Sequence, residues 1–469
     1  MSKFKPSLGS VVAEELQPAT DRRAREKPTK PIHTAIVSSS TETNDRISST
    51  DGLDSANSFN PTRQFAFKCT LLFLYFRFSF IHEFISSTIH VDTHILIILG
   101  SVCYLSWFLA GNLFVAFNER LAWVWAAFVA WMCLATVGSI WRGGSIAIVS
   151  PYLRTIFPLL FLIPAVVWSI EDVKKLMNVI GLAGTSTVLF GLFHRNFSQG
   201  RLDIGTDNSS IQDPNDFAAQ LIVMLPAIAY VLFAKQRSVA VKIFGVGVML
   251  SALLEIMSTG SRGGFVALLL TSVYIAITGS PKLRAFMFLG VPLMGMLALP
   301  FVPKESVARL VSLVDSSEAS ESAAESSEAR RALLMESLKA TARHPLLGVG
   351  PAVFKEYQAG VAEAQNQKGM WHETHNGYTE ISSECGIPAL ILYLTAVVMA
   401  FKSLRRASKL DLPVIPMAAR TLMTMIVGFS SGLIFLAQGY RFTMLVVGAI
   451  TIAINQVIAR AQGANAAES

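Results

Sequence analysis

Charge is scarce in this chain. Asp, Glu, Lys and Arg make up 15% of its 469 residues, against roughly 25% in an ordinary soluble domain. That is too little to cover the surface of a soluble globule, and 52% of the residues are apolar. Cysteine is scarcer still. Cys69, Cys103, Cys133 and Cys385 lie far apart in apolar stretches with no CxxC pair, which excludes a disulfide framework or a thiolate metal centre. They read as small buried hydrophobes. A G-x-x-x-x-G-K-[ST] phosphate loop is missing. Gly348-Val349-Gly350 lacks the preceding strand and third glycine of a dinucleotide fold. No repeat of 20–50 residues stands out. No secretory signal is read at the start, because the first long apolar run begins near Phe65.

Long apolar runs are what the chain has instead, with a mean hydropathy of +0.49. A membrane helix needs about 20 mostly apolar residues. Runs of that kind occur at 65–86, 93–116, 123–141, 146–170, 176–194, 217–234, 239–257, 264–279, 285–302, 377–401, 414–436 and 441–458. The expected fold is all-α: a polytopic membrane bundle of about 12 transmembrane helices. Arg77 and Arg154 are the charges inside these runs that invite checking.

The net charge of +7 and pI of 9.2 suggest nucleic acid until they are divided by region. Residues 1–62 hold eight basic and eight acidic residues, and 303–374 hold eight and ten. The surplus therefore lies between the apolar runs, which is the positive-inside pattern rather than a clustered polyanion footprint. With the N-terminus in the cytoplasm, inner loops hold Arg120, Lys174, Lys175, Lys235, Arg237, Lys242, Lys282, Arg284, Lys402, Arg405, Arg406 and Lys409. Short outer loops hold only Arg142, Arg195, Arg201, Arg262 and Arg441. Both termini are thus expected inside, and the one long loop, between spans nine and ten, outside. The organisation expected is a Ser/Thr-rich disordered segment at 1–62, spans one to nine within 63–302, the outer loop at 303–376, spans ten to twelve within 377–460, and a tail at 461–469. In the loop, Ser316–Glu325 reads as mobile low-complexity sequence and Ala329–Arg343 as a helix ended by His344-Pro345.

Outer arginines run against the topology bias, so they invite a specific reason. Three outer regions stand out. Arg201 lies between His194-Arg195 and Asp213-Pro214-Asn215-Asp216, a turn and helix cap. Ser258-Thr259-Gly260-Ser261-Arg262-Gly263-Gly264 reads as a tight hairpin between two membrane helices that opens the second. Exposed amides there favour an anion, and Arg262 adds a fork that suits phosphate. Glu255, about a turn earlier, is placed to orient it. The third region is His372-Glu373-Thr374-His375-Asn376-Gly377-Tyr378, leading to Glu380 and Glu384 on one helical face. His375 suits a general base, with Glu380 or Glu384 orienting the imidazole or capping the helix. His372-x-x-His375 lacks a clear third ligand, so no metal is expected. Each residue also has a plain reading as a solvated loop, a snorkelling side chain or an interfacial histidine. Gly428-Phe429-Ser430-Ser431-Gly432 reads as helix packing.

At these residues the chain resembles the O-antigen ligase and polymerase superfamily of bacterial envelope enzymes. Ser261-Arg262-Gly263 is similar to the family's Ser-Arg-Gly motif, and His344-Pro345-Leu346-Leu347-Gly348-Val349-Gly350-Pro351 with Phe354 to its loop motif. His375-Asn376-x-Tyr378 followed by Glu384-x-Gly386-Ile387 resembles its most recognisable signature. Arg201 with Asp213-Pro214-Asn215 resembles its earlier arginine loop. The resemblance covers roughly 195–400. The hydrophilic N-terminal stretch is longer than the family's, and Gly377 stands where the family has an aliphatic residue.

The resemblance implies a glycosyltransferase of the bacterial inner membrane, its active site facing the periplasm. The implied donor is a glycan on undecaprenyl pyrophosphate, and the acceptor is the lipid A core for a ligase or a growing polysaccharide for a polymerase. Arg201 and Arg262 would hold the pyrophosphate, and His375 would take the acceptor's proton. Ser261, Glu255, Asn376, Tyr378, Glu380 and Glu384 would support them. No cofactor, metal or nucleic acid enters. A secondary transporter of small anions is the rival of a different class; it would place its charges near the midplane.

Overall fold

The computed structural model describes residues 60–91, 93–204, 210–211, 213–313, 321–364 and 372–468. The N-terminal segment expected to be disordered lies almost wholly outside the described residues, as does much of the low-complexity stretch. Helix α1 spans Pro61–Ser79, α2 Ile81–Ile89, α3 Ile95–Ala110 and α4 Arg120–Val137. Helix α5, Arg142–Pro151, runs through a π turn at Tyr152–Ile156 towards α6, Leu159–Val166. Then follow α7 Ile170–Phe193, the hairpin of β1 Asn196–Ser198 and β2 Arg201–Asp203, α8 Pro214–Leu232, α9 Val239–Ser258 and α10 Arg262–Thr278. Helix α11, Pro281–Ala285, continues by a π turn into α12, Val291–Ala298. The long segment carries α13 Lys304–Val311, α14 Glu321–Arg343 and α15 Phe354–Ala364. Helices α16 Gly377–Ala407, α17 Ile415–Gly432 and α18 Phe442–Glu468 close the described chain.

The fold is that of an all-α membrane protein. Among the described residues eight helical stretches, two of them running through the π turns, are long and apolar enough to cross a membrane, and α3 and α10 are shorter apolar helices. The first expected run, 65–86, is divided: Phe80 adopts a left-handed conformation (φ 55°) and ends α1. Arg77 therefore stands in the last turn of α1, not in mid-span. Arg154 lies in the π turn and donates to its own Ser150 carbonyl at 3.3 Å. The loop helix starts at Glu321, eight residues before the expected Ala329, so helix reaches into the low-complexity stretch.

One continuous apolar core runs through the bundle, with Trp125, Phe128 and Tyr393 packed as an aromatic cluster inside it. Helices α7 and α8 pack through small residues. A Cβ on Gly181 would come 2.3 Å from the Ala227 carbonyl, and one on Gly184 would meet Met224 at 2.9 Å. One end of the bundle is fixed by polar contacts. Arg63 pairs with Asp172 at 3.2 Å, both buried, and Arg460 lies over the Trp168 ring at 3.6 Å. The outer-loop candidates meet at the other end.

Helix α16 is broken, and the break positions that end. Gly386 leaves helical geometry at φ 84° and ψ 171°. The backbone groups freed there, two carbonyls and an amide, are taken up by the 344–351 turn: Val349 N donates to Ser383 O, Gly350 N to Glu384 O and Ile387 N to Pro345 O, all at 2.8–2.9 Å. Trp131 Nε1 donates to Cys385 O at 3.1 Å. Irregular backbone inside such a bundle is tolerable only when its groups are paired in this way. The approach is so close that a Cβ on Gly348 would lie 2.2 Å from the Glu384 backbone. Here the Leu-Leu-Gly-Val-Gly-Pro stretch acts as a plug for a broken helix.

Candidate active site

Arg201 is seated by its neighbours. Its Nε donates to the Thr259 carbonyl at 2.7 Å and its Nη2 to Asn215 Oδ1 at 3.0 Å. Asn215 is itself held by Asp213, which caps α8 by accepting from the amides of Asn215 and Asp216. The arginine thus bridges the cap of α8 and the hairpin that begins α10. Burial first, and then the charge of Arg309, lower its pKa to about 10; Asp213 opposes them.

Arg262 is the first residue of α10, whose cap is Ser261; the Ser261 hydroxyl accepts from Gly264 N at 3.1 Å. The two glycines after it are needed by the packing. A Cβ on Gly263 would come 2.5 Å from Phe435, and one on Gly264 would come 2.9 Å from Ala218. Arg201 and Arg262 are thereby carried on the two sides of one backbone turn. Glu255 does not orient Arg262, as the sequence suggested. Both its oxygens are buried and make no hydrogen bond among the described residues. It fills the space beside Gly191, where a Cβ would meet its carboxylate at 2.8 Å, and the charge acting on it is Arg195.

His375 stands just before α16 with a left-handed backbone (φ 51°), a conformation that costs energy in a residue with a side chain. Its ring makes no hydrogen bond among the described residues. Burial first, and then the charge of Arg330, push its pKa down to about 4; Asp213 opposes this and His372 adds to it. At neutral pH it therefore carries a free lone pair. Glu380 and Glu384 do not touch it, contrary to the expectation that one would orient the imidazole. Glu380 accepts from Gly439 N at 2.8 Å. Glu384 accepts from Ala352 N at 2.7 Å, Phe354 N at 3.2 Å and Tyr440 Oη at 2.8 Å. It caps α15 from a distance and ties the plug to the turn before α18.

Asn376 and Tyr378 are fasteners. The Asn376 side chain caps α16 through the amides of Tyr378 and Thr379, and donates to Ile434 O at 3.0 Å. Tyr378 donates to Ser430 O at 2.8 Å. Gly377 is explained by contact: a Cβ there would lie 2.5 Å from Leu433.

His375 lines a cavity of about 290 Å³ together with Arg77, Asp213, Asp216, Glu373, Glu380, Gln438 and Arg441. The size is near the lower end for small-ligand sites. Arg77 lies over the Phe442 ring at 4.5 Å. Arg441 pairs with Asp216 at 3.0 Å, and Gln438 donates to the same carboxylate. Glu373 has its pKa raised, first by desolvation and then by Asp216. Arg201 and Arg262 are not among the residues lining this cavity; they meet His375 through shared charged neighbours. Arg309 and Arg330 act on both arginines, and Arg330 also acts on the histidine. Neither loop arginine, nor Arg77, Asp216 or Arg441, was singled out as part of the site from sequence. The signals available were a charge inside an apolar run for Arg77, the Asp213–Asp216 stretch for Asp216, and an expected outer position for Arg309, Arg330 and Arg441. Among the described residues no group of three His, Cys, Asp or Glu is placed to hold a metal.

Residues 246–394 match the family model described as O-antigen ligase. The match takes in Arg262, the long segment 303–376, His375 and Glu384, about a third of the chain; Arg201 lies outside it. It relates this chain to the O-antigen ligase superfamily, whose members are glycosyl-transferring membrane enzymes. No curated protein matches the sequence.

Proposed function

Starting from that kinship, we propose that the protein transfers a glycan from undecaprenyl pyrophosphate to an acceptor hydroxyl on the outer face of the bacterial inner membrane. The observation that carries the reading is the convergence of separated segments at one end of the bundle: 201–203 and 213–216, 259–264, and 372–376. In this reading Arg201 and Arg262 hold the pyrophosphate and neutralise the charge it gains as leaving group. The acceptor occupies the cavity beside His375. Its hydroxyl oxygen attacks the sugar's anomeric carbon while Nδ1 or Nε2 of the neutral imidazole takes the proton. The bond to the pyrophosphate oxygen breaks as the new glycosidic bond forms, so undecaprenyl pyrophosphate departs. In-line attack of this kind inverts the anomeric centre.

The ligase reading, with the lipid A core as acceptor, is preferred to the polymerase reading, in which a lipid-linked repeat is extended. Twelve spans, both termini in the cytoplasm and an outer loop at 303–376 complete the proposal. The test is transfer of a labelled undecaprenyl-pyrophosphate glycan by the purified protein, offered lipid A core or a lipid-linked repeat. Arg262→Ala and His375→Ala should each abolish transfer with either acceptor. Undiminished transfer by both variants would overturn the mechanism, and the acceptor used separates ligase from polymerase.

A further inference from the structure

The long outer segment brings a third arginine against the same turn. Helix α13 is fixed there by Ser306, whose hydroxyl lies 2.7 Å from the Ser258 carbonyl and 3.0 Å from the Gly200 carbonyl. Those carbonyls immediately precede the Thr259 and Arg201 of the bridge described above. Gly260 leaves room for the contact: a Cβ on it would meet Ser306 at 3.2 Å. Beside Ser306, α13 packs Val307 and Leu310 against Met257, Ala298 and Val302. Arg309 follows Ser306 by three residues, so both project from one face of the helix. Its Nε is buried and has no hydrogen-bond partner among the described residues. Arg330, on α14, adds a fourth charge, and neither loop arginine closes an ion pair with a described carboxylate. Like charges gathered in a partly buried place are costly unless an anion compensates them.

We propose that Arg309 is a third phosphate-binding arginine of this site, latched in place by Ser306, and that it sets the site's preference for a diphosphate over a monophosphate. The inference rests on the proposed function only for the identity of the lipid; the anion site itself is read from Arg309 and Ser306. Two arginines carried by separate helices span two phosphoryl groups better than one, since each fork engages its own set of oxygens. Ser306 is a positioning residue, acting through the seat it gives α13.

The test is equilibrium binding to the full-length protein in lipid nanodiscs. Inorganic pyrophosphate, inorganic phosphate and undecaprenyl pyrophosphate serve as three probes. The unaltered protein should bind both diphosphates more tightly than phosphate. Arg309→Ala should weaken diphosphate binding about tenfold or more, the scale of a hydrogen bond to a charged group, while phosphate binding changes little. Arg309→Lys should recover part of the loss, and it keeps the test open if Arg309→Ala does not fold. Arg331→Ala, an exposed neighbour of Arg330 with the same charge change, should bind as the unaltered protein does.

Diphosphate binding by Arg309→Ala, or by Arg309→Lys alone if the alanine variant fails to fold, equal to that of the unaltered protein would overturn the inference. Weakening confined to undecaprenyl pyrophosphate would also overturn it, since the arginine would then be reading the lipid and not the diphosphate. Loss of diphosphate binding in a protein that transfers no glycan would leave the anion site standing and remove the transferase reading. Transfer that proceeds with unaltered donor KM in Arg309→Ala would do the reverse.

Discussion

The Nε of Arg201 donates to the carbonyl of Thr259 at 2.7 Å, across 58 residues of sequence. The two candidate arginines are therefore not independent. Arg201 is clamped to the turn that presents Arg262, and its position depends on donors in a fixed fork. A lysine has one flexible ammonium and cannot serve Thr259, Asn215 and a ligand in that geometry. Arg201→Lys should lower transfer at least about tenfold despite keeping the charge. A rate close to that of the unaltered protein would show that charge alone suffices.

The His375 imidazole has its pKa pushed down to about 4, below the ordinary value near 6.5. The acid limb of kcat/KM, which reports the free enzyme, should therefore fall well below pH 6. The same shift acts on stability. The fold favours the neutral ring, so that contribution is full above pH 6.5 and is lost as pH falls towards 4. Arg330→Gln removes one cause of the depression and should move the acid limb upward. A pH–rate profile of both proteins measures this; an unmoved limb would detach Arg330 from His375.

Glu384 is 4% exposed and accepts three hydrogen bonds, two from the 352–354 turn and one from Tyr440. Glu384→Ala would strand two buried amides and a tyrosine hydroxyl, at roughly 1–3 kcal/mol for each unsatisfied group. A loss of about 3 kcal/mol or more is expected in thermal or denaturant unfolding. Tyr440→Phe, which removes only one donor, should cost about 1 kcal/mol. Equal losses in the two variants would contradict the three-way tie.

Gly386→Ala introduces a Cβ 2.0 Å from the Leu346 carbonyl oxygen at a φ of 84°. Both the clash and the backbone conformation oppose it, and about 3 kcal/mol of destabilisation is expected. Because the break in α16 sets the direction of its first turns, activity should fall more steeply than stability. Unfolding curves and transfer rates on one preparation separate the two.

The cavity beside His375 is walled by Asp213, Asp216, Glu373 and Glu380 against Arg77 and Arg441. Acceptors whose terminal sugar is neutral or carries an amine should be used in preference to uronic-acid acceptors, which like charges disfavour. Asp216→Asn should narrow that preference. Comparing kcat/KM for matched acceptors with and without a carboxylate gives the answer.

Sequence by itself determined the fold class and picked out the segments of the candidate site. Low charge and long apolar runs force helices, because backbone groups in a bilayer must be paired within the segment. The expected charge bias then marked Arg201 and Arg262 as outliers, and residue type marked the His372–His375 stretch. What sequence could not supply was contact. Glu255, Glu380 and Glu384 have the right types and spacing for supporting the arginine or the imidazole, yet Glu255 lies against Gly191 and the others serve Gly439 and the 352–354 turn. Arg330 was one residue of the expected helix Ala329–Arg343 and Arg309 one charge of the long segment, and Arg309 has no place at the site until Ser306 fixes its helix against α9. Gly377 looked like a departure until Leu433 was found at the distance a methyl would need. Periodicity and composition act within a segment and survive in the sequence. Partners are chosen between segments, by packing, and only the tertiary structure decides them.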